Sequence, residues 1–555
     1  MHCKLQPALA ALTLALCAGL ALAAPPQAAP QADAAAATAP ATDVAAPSAL
    51  AGFDTYVDQV RDTFDVPGIA VAIIKDGQVV LERGYGVRDR ESGAPVDAHT
   101  LFAIASNTKA FTAASLQMLA ADGKLDMDDR VIEHLPWFRM SDPYITHEMR
   151  IRDLLAHRSG LSLGAGDLLY WPTTDYSNRE VAERLKDVPI TGGFRAQYAY
   201  DNILFGVAQL VVEAAAGMPY NRFLQQRIFD PLGMDETVYN SDHLGDAQNV
   251  ATGYAKADFK DIVPAPRMTW SNVGGAGGIY SSVHDLSKWV RVQLAGGAIP
   301  ASVGDGTEER LFPEQAQREM WSMLTPIPVR KPTLPEFEPI TPNFQGYGEG
   351  WNLADYRGHK LVWHTGGWPG MVSRVTMLPG QDIGVIVLTN AESGAAFNAV
   401  TMRALDAMLG LPATDWNAAY AKARAQQEAK ADESWDKHVA ARDASSKPSL
   451  PLAKYAGTYA DPWYGNVVIG NEGGKLRIRF SRTADLVGTL QHWQHDTFLV
   501  RWDQRWLNAD AFLSFALDAD GNIREARMVP ASELTDFSFD FQDLRLTPVK
   551  PDSGE

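Results

Sequence analysis

Two groups of strand-like segments stand far apart in this chain, and most of what lies between them reads as helix. The first group is Gly68-Ile-Ala-Val-Ala-Ile-Ile-Lys75, an Asp76-Gly77 turn and Val79-Val-Leu-Glu-Arg83, the pattern of a β-hairpin. The second comprises His359 to His364, Val372 to Leu378 and Ile383 to Leu388. Helical patterns fill the interval: Ser106 to Ala121, closed by Asp122-Gly123, then Ile151 to His157 and Asn202 to Ala215. A further helix starts near Ser282, where Ser282 and Asp285 have capping-box spacing. An amphipathic run, Tyr56 to Phe64, precedes the hairpin, and a helix from Ala395 to Leu409 follows the last strand. Strands at both ends with helices between predict an α+β domain over residues 50–412, with one antiparallel sheet drawn from both termini and flanked by a helical lobe.

At 555 residues the chain is too long for one core. Residues 413–449 are charged and alanine-rich and read as a connecting helix. From residue 450 the texture changes to short alternating runs, among them Tyr455 to Tyr459, Lys475 to Phe480, Thr497 to Val500 and Ala511 to Phe515. Turns such as Glu472-Gly-Gly474 and Asp520-Gly-Asn522 separate them, which predicts a small up-and-down β-barrel or sandwich over 450–555. Hydrophobic residues at 46% and charged residues at 21% describe a globular protein, and a net charge of −18 argues against a nucleic-acid partner.

The N-terminus adds a location. Met1 to Lys4 gives a positive start, Leu5 to Leu22 is apolar, and Ala21-Leu-Ala23 offers a small-x-small cleavage pattern, so residues 1–23 read as a cleaved signal peptide. Residues 24–49, nearly all Ala, Pro, Gln, Thr and Asp, read as a tether. Both cysteines, Cys3 and Cys17, fall in the signal segment, and a mature chain without disulfides fits a bacterial periplasm or a secreted protein. No later segment has the length and apolarity of a membrane span.

The chemistry starts at Ser106 and Lys109. On a helix, residues three apart share a face, so the amine overhangs the hydroxyl. Lysine activates a serine only where desolvation or cationic neighbours lower its pKa. The same spacing recurs at Ser434 and Lys437, inside a charged stretch that reads as a solvated helix. Tyr200 and Asn202 open the helix near residue 202; a phenol beside an ammonium can relay a proton at a lowered pKa, and a carboxamide can hold a substrate amide. Trp363-His-Thr-Gly-Gly367 ends a strand with small residues along which a substrate can lie.

In this order and at these separations, Ser-x-x-Lys, Tyr-Asp-Asn and His-Thr-Gly resemble the serine β-lactamase and penicillin-binding superfamily. The chain is most similar to class C β-lactamases and their D-aminopeptidase and esterase relatives. Ile151 to Leu161, Gly277 to Ser281 and Tyr347 to Trp351 look like the same family, and the tail resembles the β-barrel that some of its exported peptidases carry. The resemblance implies that Ser106 attacks the substrate carbonyl, that Lys109 and Tyr200 share its proton, and that Asn202 holds the substrate amide. It implies substrate contacts at His364, Thr365, Gly366 and Gly367, and an oxyanion hole from the backbone N–H groups of Ser106 and Gly367. Histidine replaces the family's lysine at 364; mostly neutral at pH 7, it implies weak use of carboxylate-ended substrates and favours amides, D-amino-acid peptides or esters. The expectation is an exported serine hydrolase acting through an acyl-enzyme on small molecules or peptides, without metal or cofactor. The alternatives are a β-lactamase, a penicillin-binding protein that acylates without turnover, and an interaction protein acting through the barrel.

Other patterns read as structure. Gly160-Leu-Ser-Leu-Gly164 matches a nucleophile elbow, but a helical run precedes it and a glycine-rich loop follows, so Ser162 reads as part of a turn. Gly274-Gly-Ala-Gly-Gly278 lacks a phosphate-loop ending and reads as a tight turn before a helix. His492 and His495 read as surface histidines, and Asp518-Ala-Asp-Gly521 as a hairpin turn.

Overall fold

The computed structural model describes residues 48–550 except 305, 307 and 308. The expected signal segment 1–23 and the expected tether as far as residue 47 lie outside the described residues.

Both ends of the first domain build one sheet. Its strands are β1 (Gly68–Lys75), β2 (Gln78–Gly86), β3 (Thr325–Ile327), β4 (Gln345–Tyr347), β5 (Asn352–Tyr356), β6 (His359–Trp368), β7 (Met371–Leu378) and β8 (Ile383–Thr389). They lie in the order β2-β1-β8-β7-β6-β5-β4-β3. N-terminal β1 pairs antiparallel with β8, Ile69 opposite Thr389 and Lys75 opposite Ile383. Asp76 and Gly77 both take left-handed φ, 51° and 72°, as a two-residue hairpin turn requires.

The apolar run of β1 is continuous because both its faces are covered. Ile69, Val71 and Ile73 pack with α1 (Phe53–Phe64) and the helix that follows β8; Ala70, Ala72 and Ile74 face the helical lobe. Burying each such branched side chain contributes about 1.5–3 kcal/mol. In α1 the buried Phe53, Val57, Val60 and Phe64 recur at helical spacing. The lobe centres on α2 (Thr108–Ala121) and α3 (Ile203–Ala216), with α4 (Val283–Leu294) against β1 and β8. Beyond β8, α5 (Gly394–Met408) completes the domain and α6 (Trp416–Ala441) leaves it, anchored where Trp416 Nε1 donates to Asp406 at 2.8 Å.

The C-terminal domain is a nearly closed meander. Its strands are β9 (Gly457–Asp461), β10 (Gly465–Glu472), β11 (Lys475–Phe480), β12 (Val487–Gln494), β13 (Thr497–Trp502), β14 (Ala511–Leu517), β15 (Ile523–Pro530) and β16 (Thr547–Pro548). They pair sequentially, and β16 returns beside β9. Leu546, next to β16, bridges Ala526 in β15 and so brings the two edges together. The barrel and the helical lobe share one contiguous set of buried apolar residues. Polar contacts reinforce that junction: Tyr176 donates to Tyr464 O at 2.5 Å, and Arg184 to Trp463 O at 2.8 Å.

Several expectations shift in detail. The helix expected over 151–157 stops at Leu154, and His157 takes a left-handed φ of 51°. The short strands β3 to β5 and the strand β12 were not read from sequence. Proline and glycine interrupt the first group, and polar residues dilute the apolar alternation of the second. No single helix among the described residues is long and apolar enough to cross a membrane.

Candidate active site

Ser106 sits in a 3-10 turn, Ala105–Asn107, that feeds directly into α2. In such a turn residues three apart eclipse, which sets Lys109 over the serine more closely than an α-turn would. Ala105 is held at φ 46°, an uncommon conformation for a residue with a Cβ. Neighbours lock the turn: Asn107 donates to Ser373 Oγ at 2.8 Å, and Ser373 donates to Ile104 O at 2.7 Å. Strand β6 presses on it from the other side. A Cβ at Gly366 would lie 2.1 Å from Ile104 O, whereas at Gly367 nothing lies within 4 Å. The first glycine is needed for contact and the second leaves the strand open to the cleft.

Lys109 is fully buried, because every residue of α2 from Thr108 to Leu119 lies inside the lobe. Its Nζ meets three groups: Ser106 Oγ at 2.9 Å, Asn202 Oδ1 at 2.7 Å and Ala276 O at 2.9 Å. Burial lowers its pKa to about 7, against the opposing pull of Asp167 and Asp201. A neutral amine has two N–H donors and one lone pair. The two carbonyl oxygens take the donors, which leaves the lone pair for the Ser106 hydroxyl. The Gly274–Gly277 turn makes this possible: a Cβ at Gly275 would sit 2.7 Å from Phe205 O, and one at Gly277 2.2 Å from Trp270. The glycines predict a tight turn before a helix; the stretch is instead a short helical turn that supplies the Ala276 carbonyl.

Tyr200 and Asn202 arrive at the entrance of α3. The Lys109 amine lies 4.9 Å from the Tyr200 ring centroid. The lowered phenol pKa expected from an adjacent ammonium is not what the surroundings produce. Burial pushes Tyr200 well above 10, and hydrogen bonding with Ser106 only opposes the rise. The phenol therefore stays protonated, and among these groups Lys109 is the base available near neutral pH. Asn202 donates Nδ2 to Asp167 Oδ2 at 2.9 Å, so its oxygen is the atom that faces the lysine.

His364 is buried and spends both nitrogens inside the protein, 2.8 Å from Tyr347 Oη and 2.6 Å from Thr365 O. The carbonyl requires a proton on Nδ1, so Nε2 accepts from the phenol. Burial, aided by Lys109, pushes its pKa well below 6.5. The ring is therefore neutral at pH 7. Ser106, Tyr200, Asn202, His364, Thr365, Gly366 and Gly367 all line one cavity of about 380 Å3, and Lys109 lies behind it. A second cavity of about 580 Å3 adjoins the first through Trp171, Gly367, Val372, Gly394 and Asp536.

Sequence reading missed several site residues. Asp167 and Asp201 are buried carboxyls that burial raises to about 7. Asp167 stands alone in the apolar stretch Leu163 to Trp171, a signal that was available. Asp536, Phe537 and Ser538 reach the cleft from the barrel, and no local pattern marks them. The decoys fall elsewhere. Ser162 donates to Asp543 at 3.1 Å with no strand before it, and Lys437 pairs with Glu433 on the exposed face of α6.

The chain belongs to the Beta-lactamase family, whose model matches residues 53–409. A domain of unknown function, DUF3471, matches residues 441–548. Unguisins hydrolase ungD of Aspergillus violaceofuscus is 30% identical over 482 residues, covering 80% of this chain and 82% of the relative. Among solved structures, the octameric penicillin-binding protein homologue from Pyrococcus abyssi superposes with a TM-score of 0.56 at 21% identity, covering 90% of this chain and 99% of that one. The D-amino acid amidase from Ochrobactrum anthropi SV3, complexed with L-phenylalanine amide, gives 0.54 at 22% identity, covering 66% and 99%. The fold is thus β-lactamase-like with an added C-terminal barrel, and the family is one of serine β-lactamase-fold hydrolases.

Proposed function

We propose that this chain is an exported serine hydrolase that cleaves amides, D-amino-acid peptides or esters through an acyl-enzyme on Ser106. One observation carries the reading: a buried lysine amine, its pKa lowered to about 7, sits 2.9 Å from the serine hydroxyl with its other hydrogen-bonding positions occupied. Lys109 takes the hydroxyl proton as Oγ attacks the substrate carbonyl carbon. The N–H groups of Ser106 and Gly367 hold the resulting oxyanion; one such donor is worth roughly 3 kcal/mol. The C–N or C–O bond then breaks, and the leaving group takes the proton from Lys109, with the protonated Tyr200 as relay. A water that gives its proton to Lys109 attacks the acyl ester, and the acid product departs as Ser106 recovers its proton.

The neutral, internally bonded His364 supports a preference for substrates without a carboxylate at that end. The names of the relatives, an amidase for D-amino acids and a hydrolase of unguisins, point the same way. Export rests on residues 1–23, and N-terminal sequencing of protein from intact cells checks it by locating the cut after Ala23.

The deciding experiment incubates the mature protein with fluorescent penicillin, D-alanine p-nitroanilide and p-nitrophenyl butyrate, and follows intact mass. A transient acyl adduct on Ser106 with the last two is expected. An adduct that persists only with penicillin replaces the reading with that of a non-turnover penicillin binder, and an adduct on another residue overturns it.

A further inference from the structure

The barrel packs against the first domain through a shared set of buried apolar residues, but one of its connections does more. The segment between β15 and β16 leaves the barrel and enters the wall of the cleft. Ser538 donates its hydroxyl to Asp167 Oδ2 at 2.9 Å. Two residues on, Asp540 accepts from Gly166 N at 2.6 Å and Leu168 N at 3.1 Å, pinning the residues on either side of Asp167. All three side chains are buried. Phe537 stands edge-on to Tyr200 at 5.9 Å, and the segment runs so close that a Cβ at Gly164 would meet Phe537 O at 2.7 Å.

We propose that Ser538 and Asp540 are positioning residues for the catalytic base, acting on Lys109 through Asp167 and Asn202. This rests on the serine-hydrolase reading above. The logic is one of orientation. A carboxamide presents either an acceptor or a donor to its neighbour. If Asn202 turned its NH2 toward Lys109, that group would compete with Ser106 for the amine lone pair. Asp167 forbids this by accepting Nδ2–H, which fixes Oδ1 on the lysine. Asp167 can hold that post only as an acceptor, and Ser538 favours its ionised, acceptor-only form. The barrel does not depend on these contacts to stay docked, since Tyr176 and Arg184 hold Tyr464 and Trp463 elsewhere.

The charges make a signed test. Lys109 is faced by Asp167 and Asp201, by the Tyr200 phenol, which burial keeps protonated, and by His157 and His364, which burial keeps neutral. Asp167 is faced by Lys109, Asp201, Tyr170 and Asp540. Removing the Ser538 hydroxyl makes Asp167 easier to protonate; the negative charge that favours the lysine ammonium weakens, and Lys109 loses its proton at lower pH. Ser538→Ala is therefore expected to move the acid limb of the kcat/KM profile downward by about half a pH unit or more. It also lowers kcat about tenfold, with KM for D-alanine p-nitroanilide little changed. Ser538→Thr, which keeps the hydroxyl, brings both back toward the parent. Asp540→Ala lowers kcat by a similar factor while circular dichroism keeps the native spectrum. An acid limb that stays in place or moves upward in Ser538→Ala, or an Asp540→Ala enzyme with parental kcat, overturns the proposal. If Ser106→Ala still turns substrate over, the serine-hydrolase reading itself has failed; if only Ser106→Ala is inactive, the positioning role alone has failed.

Discussion

The two eight-stranded sheets of this molecule are lined differently. Polar side chains on or beside the first sheet are buried and paired: Ser373 props the Ser106 turn, His364 locks to Tyr347, and Asn390, just past β8, accepts through Oδ1 from Gly68 N at 2.7 Å. The barrel fills its interior with rings, Phe480 against Trp502 at 5.7 Å and Trp502 stacked on Phe541 at 5.9 Å. Buried polar groups are costly unless paired, but they are what can be poised for proton transfer. An apolar interior gives shape and stability and no chemistry. The roles divide accordingly: the first domain seats its candidate reactive groups, Ser106 and Lys109, where α2 begins against the sheet, and the barrel holds a connecting segment against them.

The largest effect belongs to the reactive side. Ser106→Ala should lower turnover of p-nitrophenyl butyrate by about 10⁴-fold or more, measured at steady state. A Cβ at Gly366 collides with Ile104 O, so Gly366→Ala should shift the Ser106 turn and cut kcat by at least about a hundredfold. Gly367→Ala has space for its Cβ and should leave thermal stability unchanged; equal losses of stability in both variants would break the contrast between the two glycines.

Lowering pH should act on the same side. Lys109 must be neutral to take a proton, and its pKa is lowered to about 7, so kcat/KM rises with pH through about 7 and falls roughly tenfold per unit below it. A limb centred near pH 5 or 9 would contradict the lysine base. On the barrel side, Phe541→Ala should cost roughly 3–5 kcal/mol in urea unfolding, by removing a fully buried ring. Smallest of all, Ser162→Ala should leave kcat/KM within about twofold, because its hydroxyl donates to Asp543, away from the Ser106 site.

Much of the first sheet was legible because its signals are local or periodic. The Asp76-Gly77 turn, the unbroken apolar run of β1 and the spacing of Ser106 and Lys109 each declare themselves within a few residues. The interleaving of the termini followed from the order of strands and helices. The site's outer shell was not legible, since its members are remote in sequence and carry no pattern. Ser538 and Asp167 are 371 residues apart, and nothing in the tripeptide around either announces the other. The phenol of Tyr200 departs from expectation for a related reason: its nearness to Lys109 follows from the family pattern, whereas the burial that outweighs that charge has no sequence signature.

The remote position of Ser538 has a consequence in time. A ribosome adding about 5–20 residues each second needs roughly 20–75 s to travel the 371 residues from Asp167 to Ser538. Throughout that interval the emerging chain holds its serine and lysine while the strut that aligns them has yet to be made. The proposed hydrolase is therefore complete only once nearly the whole chain has been synthesised.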